Sequence, residues 1–285
     1  MTKTLLSFGH GYSAQALSTL LVPQGWTIYG TTRSADRFDA LKAQGITPIL
    51  WNDDHILSAL EKSDHILSSV APTAEGDPVL KACHTSIANA VPNLRWVGYL
   101  STTGVYGDRN GGWVDENSDL RPETERGHRR VEAERAWQQI PALPLHIFRL
   151  AGIYGPGRGP FAKVRNGTAQ RIIKPGQVFS RIHVDDIAQV LAASIANPNT
   201  TSIYNLCDDD PAPPQDVIGY AAELLGVAPP PEVAFKDAEL SPMARSFYAE
   251  NKRVSNARIK DELGITLKYP DFRSGLANML AENSD

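Results

Sequence analysis

The chain has two cysteines, Cys83 and Cys207, far apart and without ligand-like spacing. That excludes a disulfide scaffold and predicts two reduced thiols packed as small core residues. No apolar run is long enough to span a bilayer, and no signal-peptide layout precedes the first apolar segment. A cytoplasmic protein without a membrane partner is therefore expected. Basic residues are not in excess. The net charge is -4, acidic and basic positions are interspersed, and nucleic acid finds no electrostatic footprint. No Cys/His cluster calls for a metal, and repeats and low-complexity tracts are lacking. What remains is ordinary: 285 residues, 42% hydrophobic and 21% charged, enough for one large domain or a domain with a smaller lobe.

Against that plain background the beginning of the chain stands out. Thr4-Leu5-Leu6-Ser7-Phe8 is a short apolar run that breaks at Gly9-His10-Gly11, and an apolar-periodic segment starts at Tyr12-Ser13-Ala14. Gly-x-Gly-x-x-Ala between a strand and a helix is the layout of a dinucleotide-binding turn. Gly9 makes the tight turn, Gly11 lets the backbone approach a pyrophosphate, and the small Ala14 lets the helix pack near the strand. Amide groups at the helix start favour an anion.

The next strand ends at Thr31-Thr32-Arg33-Ser34, where NAD-preferring sites carry an acidic residue for the ribose 2′-hydroxyl. A guanidinium pairs with a 2′-phosphate and short hydroxyls can donate to it, so NADP is expected, with NAD as the alternative. The competing reading of Arg33 is a solvated residue at the start of a helix.

Strands at Thr47–Trp51, Arg95–Ser101 and Leu145–Leu150, and a strand with its exit loop at His65–Pro72, alternate with helical segments, which predicts a parallel, doubly wound sheet. Ligands bind beyond the carboxyl ends of such strands. Gly9, Arg33, Asp53, Ala71 and Ser101 all fall on that edge. Asp53 could reach an adenine edge, or its segment could cap the helix that follows. An Asp cap is expected between the strand at Arg181 and the helix ending near Ala196.

In order along the chain, Leu100-Ser101-Thr102-Thr103-Gly104-Val105-Tyr106-Gly107, Arg149-Leu150-Ala151-Gly152-Ile153-Tyr154-Gly155-Pro156-Gly157, Arg181-Ile182-His183-Val184-Asp185-Asp186 and Tyr204-Asn205-Leu206 resemble the extended and atypical short-chain dehydrogenase/reductase families, the group of nucleotide-sugar epimerases and dehydratases. The resemblance implies an α/β, Rossmann-type doubly wound parallel sheet with a small C-terminal α+β lobe. Residues 1–155 would form the NAD(P)-binding domain, completed by about 181–206, and 156–180 with 207–285 the substrate lobe.

Members that move hydride use a Ser or Thr, a Tyr, and a Lys four residues after it. Thr102 matches the first. In Pro122-Glu123-Thr124-Glu125-Arg126-Gly127-His128-Arg129-Arg130, Arg126 stands at the Tyr position and Arg130 at the Lys position. Arg130 keeps a cation that can anchor the nicotinamide ribose. Arg126 cannot act as the phenol, because a guanidinium is not deprotonated in proteins.

The resemblance therefore implies Thr102 and Arg130 as catalytic-site residues. Gly9, Gly11, Tyr12, Ser13, Ala14, Thr32, Arg33, Asp53, Ala71, Pro72, Ser101, Arg130 and Ala151 are the implied cofactor-binding positions. Tyr106, Tyr154, His128 and His183 are the nearby groups able to move a proton, each with a structural reading beside it. Glu116 orients a substrate or pairs with an arginine. Arg158, Lys163, Arg165, Arg171, Arg245, Lys252 and Arg253 offer cations to an anionic substrate or to solvent. The expected function is an NADP-binding oxidoreductase or epimerase/dehydratase-like enzyme on a small substrate, the alternative a non-catalytic NADP-binding sensor or regulator. A homodimer through the charged segment Glu123–Gln139 is a possible assembly.

Overall fold

The structure is a computed structural model that describes residues 3–51, 54–198 and 202–282. Its first half alternates strand and helix: β1 (Thr4–Phe8), α1 (Tyr12–Leu21), β2 (Thr27–Thr32), α2 (Phe38–Ala43), β3 (Thr47–Leu50), α3 (His55–Glu61), β4 (His65–Ser68), α4 (Pro78–Ala90) and β5 (Trp96–Thr102). Then come β6 (Trp113–Val114), α5 (Glu125–Gln138), β7 (Leu145–Leu150), β8 (Gly152–Tyr154), α6 (Phe161–Arg165), β9 (Arg171–Ile173), β10 (Arg181–His183), α7 (Val184–Ala196) and β11 (Ser202–Leu206). The remainder holds α8 (Pro214–Leu224), β12 (Glu232–Ala234), α9 (Pro242–Ala249), β13 (Arg253–Val254), α10 (Ala257–Leu263) and α11 (Phe272–Glu282).

Seven strands form one parallel sheet in the order β11-β7-β5-β4-β1-β2-β3. The chain winds one way from β1 through β2 to β3, then restarts on β1's other side with β4. That reversal opens a crevice beyond the carboxyl ends of β1 and β4, where a doubly wound sheet binds its ligand. The alternation expected from sequence is thus the sheet observed.

β1 and β4 are buried along their whole length, with Leu5 and Leu67 packed on one face and Leu6, Phe8 and Ile66 on the other. One face packs Leu17 of α1 and Ile187 and Leu191 of α7. The other packs Leu60, Val79, Ile87 and Trp137 from α3, α4 and α5. A third cluster, with Phe161, Val217, Phe272 and Leu276, holds α6, α8 and α11 together beside the sheet edge. Three separate two-stranded parallel pairs, β8–β10, β9–β12 and β6–β13, tie segments distant in sequence to one another.

Local caps place the helices. Asp77 accepts hydrogen bonds from the amides of Val79 and Leu80, with Pro78 in the first turn of α4. The start of α7 corrects the sequence reading, because the cap there is His183 and not an aspartate: its Nδ1 accepts from the Asp185 amide at 3.2 Å. Asp186 instead turns back to accept from the amides of Lys268 and Tyr269. Among the described residues no helix is long and apolar enough to cross a membrane.

Candidate functional site

A cleft of about 840 Å³ lies along the carboxyl edge of the sheet. Its inner wall begins at the Gly-x-Gly turn. Gly9 sits at φ +69°, and a Cβ there would stand 2.9 Å from Val70 Cγ2, so only glycine fits. The Gly9 amide donates to Thr31 Oγ1 at 2.8 Å and the His10 amide to the Thr31 carbonyl at 2.9 Å, tying the turn to the end of β2. Gly11 faces the cleft, and a Cβ on it would meet only the Gly9 carbonyl oxygen, at 3.5 Å.

Gly11 is also the N-cap of α1, without a side-chain cap and without an acidic residue in the first turn. The amides that open α1 therefore have no side chain to satisfy them and carry the helix's partial positive charge. Beside them Ser69 lines the cleft with a buried Oγ that has no partner among the described residues. An anion-ready helix start, a glycine wall and an orphaned hydroxyl fit a dinucleotide.

The expected residues are brought together unevenly. Gly9, Gly11, Tyr12, Ser13, Ala71, Ser101, Thr102, Arg130 and Ala151 line the cleft. Ala14 is buried in the core beneath α1. Thr32 is buried and its hydroxyl donates to the Ser34 carbonyl, while Arg33 after it is exposed. Pro72 is not part of the lining. Asp53 lies outside the described residues, and Asp54 caps α3 without a side-chain bond.

At the far end, Thr102 Oγ1 accepts from the Gly104 amide at 3.2 Å, which leaves its hydroxyl proton for another acceptor. The start of α5 is pressed against this turn. A Cβ on Gly127 would stand 3.0 Å from the Gly104 carbonyl oxygen and 2.8 Å from Pro122 Cβ. Thr124 caps α5 by accepting from the Gly127 amide. Arg126 and Arg130 thereby face the cleft together. Arg130 Nη1 donates to the Leu100 carbonyl at 2.8 Å and to Tyr99 Oη at 3.0 Å. Arg126 lies over the Phe247 ring, 5.0 Å from its centre.

The proton-moving candidates separate clearly. Tyr106 is fully buried and its hydroxyl donates to Asn205 Oδ1 at 2.7 Å. It accepts from Arg149 Nη1 at 3.0 Å, and burial pushes its pKa up. His183 is the buried cap of α7, its pKa lowered by burial, and His128 is exposed and outside the lining. Tyr154 does line the cleft, but its hydroxyl donates to the Asp271 carbonyl at 3.2 Å, and burial raises its pKa. Tyr12 donates to the Pro156 carbonyl, and burial pushes it up to about 12. Glu116 accepts from the Asn205 amide at 2.8 Å and lies 3.8 Å from Arg258 Nε, the arginine pairing of its two readings.

Of the cations read from sequence, Arg158 and Lys252 reach the cleft. Arg171 pairs with Glu232, Arg245 donates to the Ala238 carbonyl, and Arg253 binds the Gly111 carbonyl. Two further groups were not among the site residues read from sequence. Arg181 lines the cleft from β10, and Glu250 joins Lys252 there as an ion pair.

No family model matches the chain. A conserved protein of Silicibacter pomeroyi, described as functionally unknown, is 60% identical, with a TM-score of 0.96 and 99% of both chains covered. The chain belongs to that protein's family. Protein YeeZ of Escherichia coli K12 is 27% identical, over 94% of this chain and 97% of its own. A dTDP-glucose 4,6-dehydratase of Bacillus anthracis, solved in complex with NAD, has a TM-score of 0.79 at 15% identity, covering 99% of this chain and 97% of that one. The family of the Silicibacter protein therefore has the fold of the NAD-dependent epimerase/dehydratase enzymes.

Proposed function

We propose that the cleft binds NADP and that the protein is an oxidoreductase or epimerase/dehydratase-like enzyme acting on a small substrate. The observation that carries this is the uncapped N-terminus of α1, opening on the cleft behind Gly9 and Gly11. Such a terminus suits a pyrophosphate. Arg33, exposed at the end of β2, supplies the preference for a 2′-phosphate. When bound, NADP(H) supplies or accepts a hydride. Thr102 donates a hydrogen bond to a substrate oxygen, and the remaining donors of Arg130 hold the nicotinamide ribose. The NAD found with the Bacillus anthracis dehydratase supports a dinucleotide in this fold.

The second reading is an NADP-binding sensor without turnover. It is favoured by α5, which carries Arg126 and Arg130 in place of the Tyr and Lys of hydride-moving relatives. The two buried free thiols fit a cytoplasmic setting for either. A homodimer through the outer, charged side of α5 completes the proposal, and light scattering reads it directly.

Calorimetric titration with NADPH, followed by a screen of the loaded protein against aldehydes, ketones and nucleotide-sugars, tests the proposal. Saturable NADPH binding with cofactor oxidation or isomerisation supports the enzyme. Binding without either supports the sensor, and no binding overturns both.

A further inference from the structure

The lining of the cleft is lopsided in charge. Among the described residues that line it, Arg126, Arg130, Arg158, Arg181 and Lys252 stand against a single carboxylate, Glu250, which Lys252 already neutralises. The protein holds three of these cations itself. Arg130 donates to Leu100 and Tyr99. Arg181 donates to the carbonyls of Phe179 and Ala212 at 2.8 and 3.0 Å. Lys252 donates to the Gly107 carbonyl at 2.9 Å and to Glu250.

Arg126 and Arg158 differ from these three. Among the described residues neither guanidinium has a hydrogen bond or an ion pair, and each lies over an aromatic ring, Phe247 and Tyr12 respectively. Their positions divide them. Arg158 lies by Tyr12, at the dinucleotide turn, where the phosphates of a cofactor bring their own charge. Arg126 lies at the other end, in the first turn of α5 and next to the turn that follows Thr102. A cation–ring contact leaves the in-plane N–H fork of a guanidinium available, and that fork matches an oxyanion with two oxygens. Thr102 adds a hydroxyl proton close by.

We propose that Arg126 is a substrate-recognition residue that binds an oxyanionic group, carboxylate or phosphate ester, of a small substrate whose reacting oxygen meets Thr102. The inference rests on reading the cleft as a dinucleotide site. It turns the residue at the phenol position from a loss into a specificity element: substrates with a negative group beside the reacting carbon are selected, and neutral carbonyl compounds are not.

The test uses the full chain saturated with NADPH and two inert probes, oxalate and inorganic phosphate, at ionic strength held constant with chloride. Bound-NADPH fluorescence reads their binding. At least one probe should bind saturably, Arg126→Met should weaken it roughly tenfold or more, and Arg126→Lys should fall between. A preference for oxalate identifies a carboxylate and a preference for phosphate a phosphate ester. No saturable binding of either probe overturns the proposal. Affinity unchanged within about twofold in Arg126→Met also overturns it, as does loss only in Arg158→Met. If NADPH itself does not bind, the cofactor reading fails separately. The probes are then titrated into cofactor-free protein by calorimetry, with the same dependence on Arg126 required. Arg126 is exposed, so thermal melting should show the variants folded like the parent.

Discussion

Arg149 and Glu134 face each other inside the protein, Nη2 to Oε2 at 2.8 Å, with side chains 3% and 2% exposed. The pair joins β7 to the middle of α5. It is extended on one side by Ser101, which donates to Glu134, and on the other by Tyr106 and Asn205. It thus fixes the turn carrying Thr102 and the helix carrying Arg126 and Arg130 as one unit. Removing one partner of a buried pair leaves an uncompensated charge. Glu134→Leu should therefore cost about 3–5 kcal/mol of unfolding free energy. Urea denaturation checks it, and a loss under about 1 kcal/mol would show that the pair is not what locks α5 to the sheet.

Arg33 is the exposed cation at the end of β2. Arg33→Ala should weaken NADPH binding roughly tenfold to a hundredfold and leave NADH within about twofold, the scale of one charged hydrogen-bonding contact. Calorimetry with both cofactors decides it. Equal affinity for the two in the parent protein would remove Arg33 from the argument.

Within the Gly-x-Gly turn, burial first and the Arg37 charge second lower the His10 pKa to about 4. An unfolded histidine titrates near 6.5. Between those values the unfolded chain binds the proton and the folded one does not, so this group makes stability rise with pH. The contribution is complete above about pH 6.5 and falls away as pH drops toward 4, on the order of 3 kcal/mol in all. His10→Asn should lower stability at pH 7.5 but flatten the dependence between pH 5 and 7.5. An unchanged slope in urea midpoints would contradict it.

Asp208 works in the opposite direction. Burial raises its pKa to about 8, and the Arg181 charge offsets only part of that. Neither carboxylate oxygen has a hydrogen-bond partner among the described residues. An unfolded aspartate titrates near 3.9. The folded state therefore holds the proton across the window up to about pH 8, and stability from this group falls as pH rises through it. Comparing Asp208→Asn with the parent at pH 5 and pH 8.5, the difference should move in the variant's favour at the higher pH. Melting curves that keep a constant gap would refute the assignment.

The sheet was legible because its signals are local. Apolar runs of strand length, each closed by a turn and followed by an apolar-periodic helix, read as β1 to β5, β7 and β11 within a few residues. Of the short pairs β6–β13, β8–β10 and β9–β12, only β10 was legible, as the strand at Arg181; the other strands were not, since two or three residues carry no period and form only against a distant partner. The same limit hid the cap of α7: histidine is a poor capping signal, and only its packed position aims Nδ1 at the Asp185 amide.

What the sequence determined by itself is the parallel sheet, the Gly9–Gly11 turn, the place of Arg33 and the pairing of Arg126 with Arg130 on one helix. These follow from adjacency and period along the chain. Tertiary structure decided which charges matter. In the dense acidic and basic run of α5, nothing marks Glu134 as buried until Arg149 arrives beside it from β7. Nothing in the run 242–253 sets Glu250 against Lys252 on the cleft, or Phe247 under Arg126. A charge's role is set by which opposite charge, carbonyl or ring it meets and how far water is excluded, and those depend on segments distant in sequence.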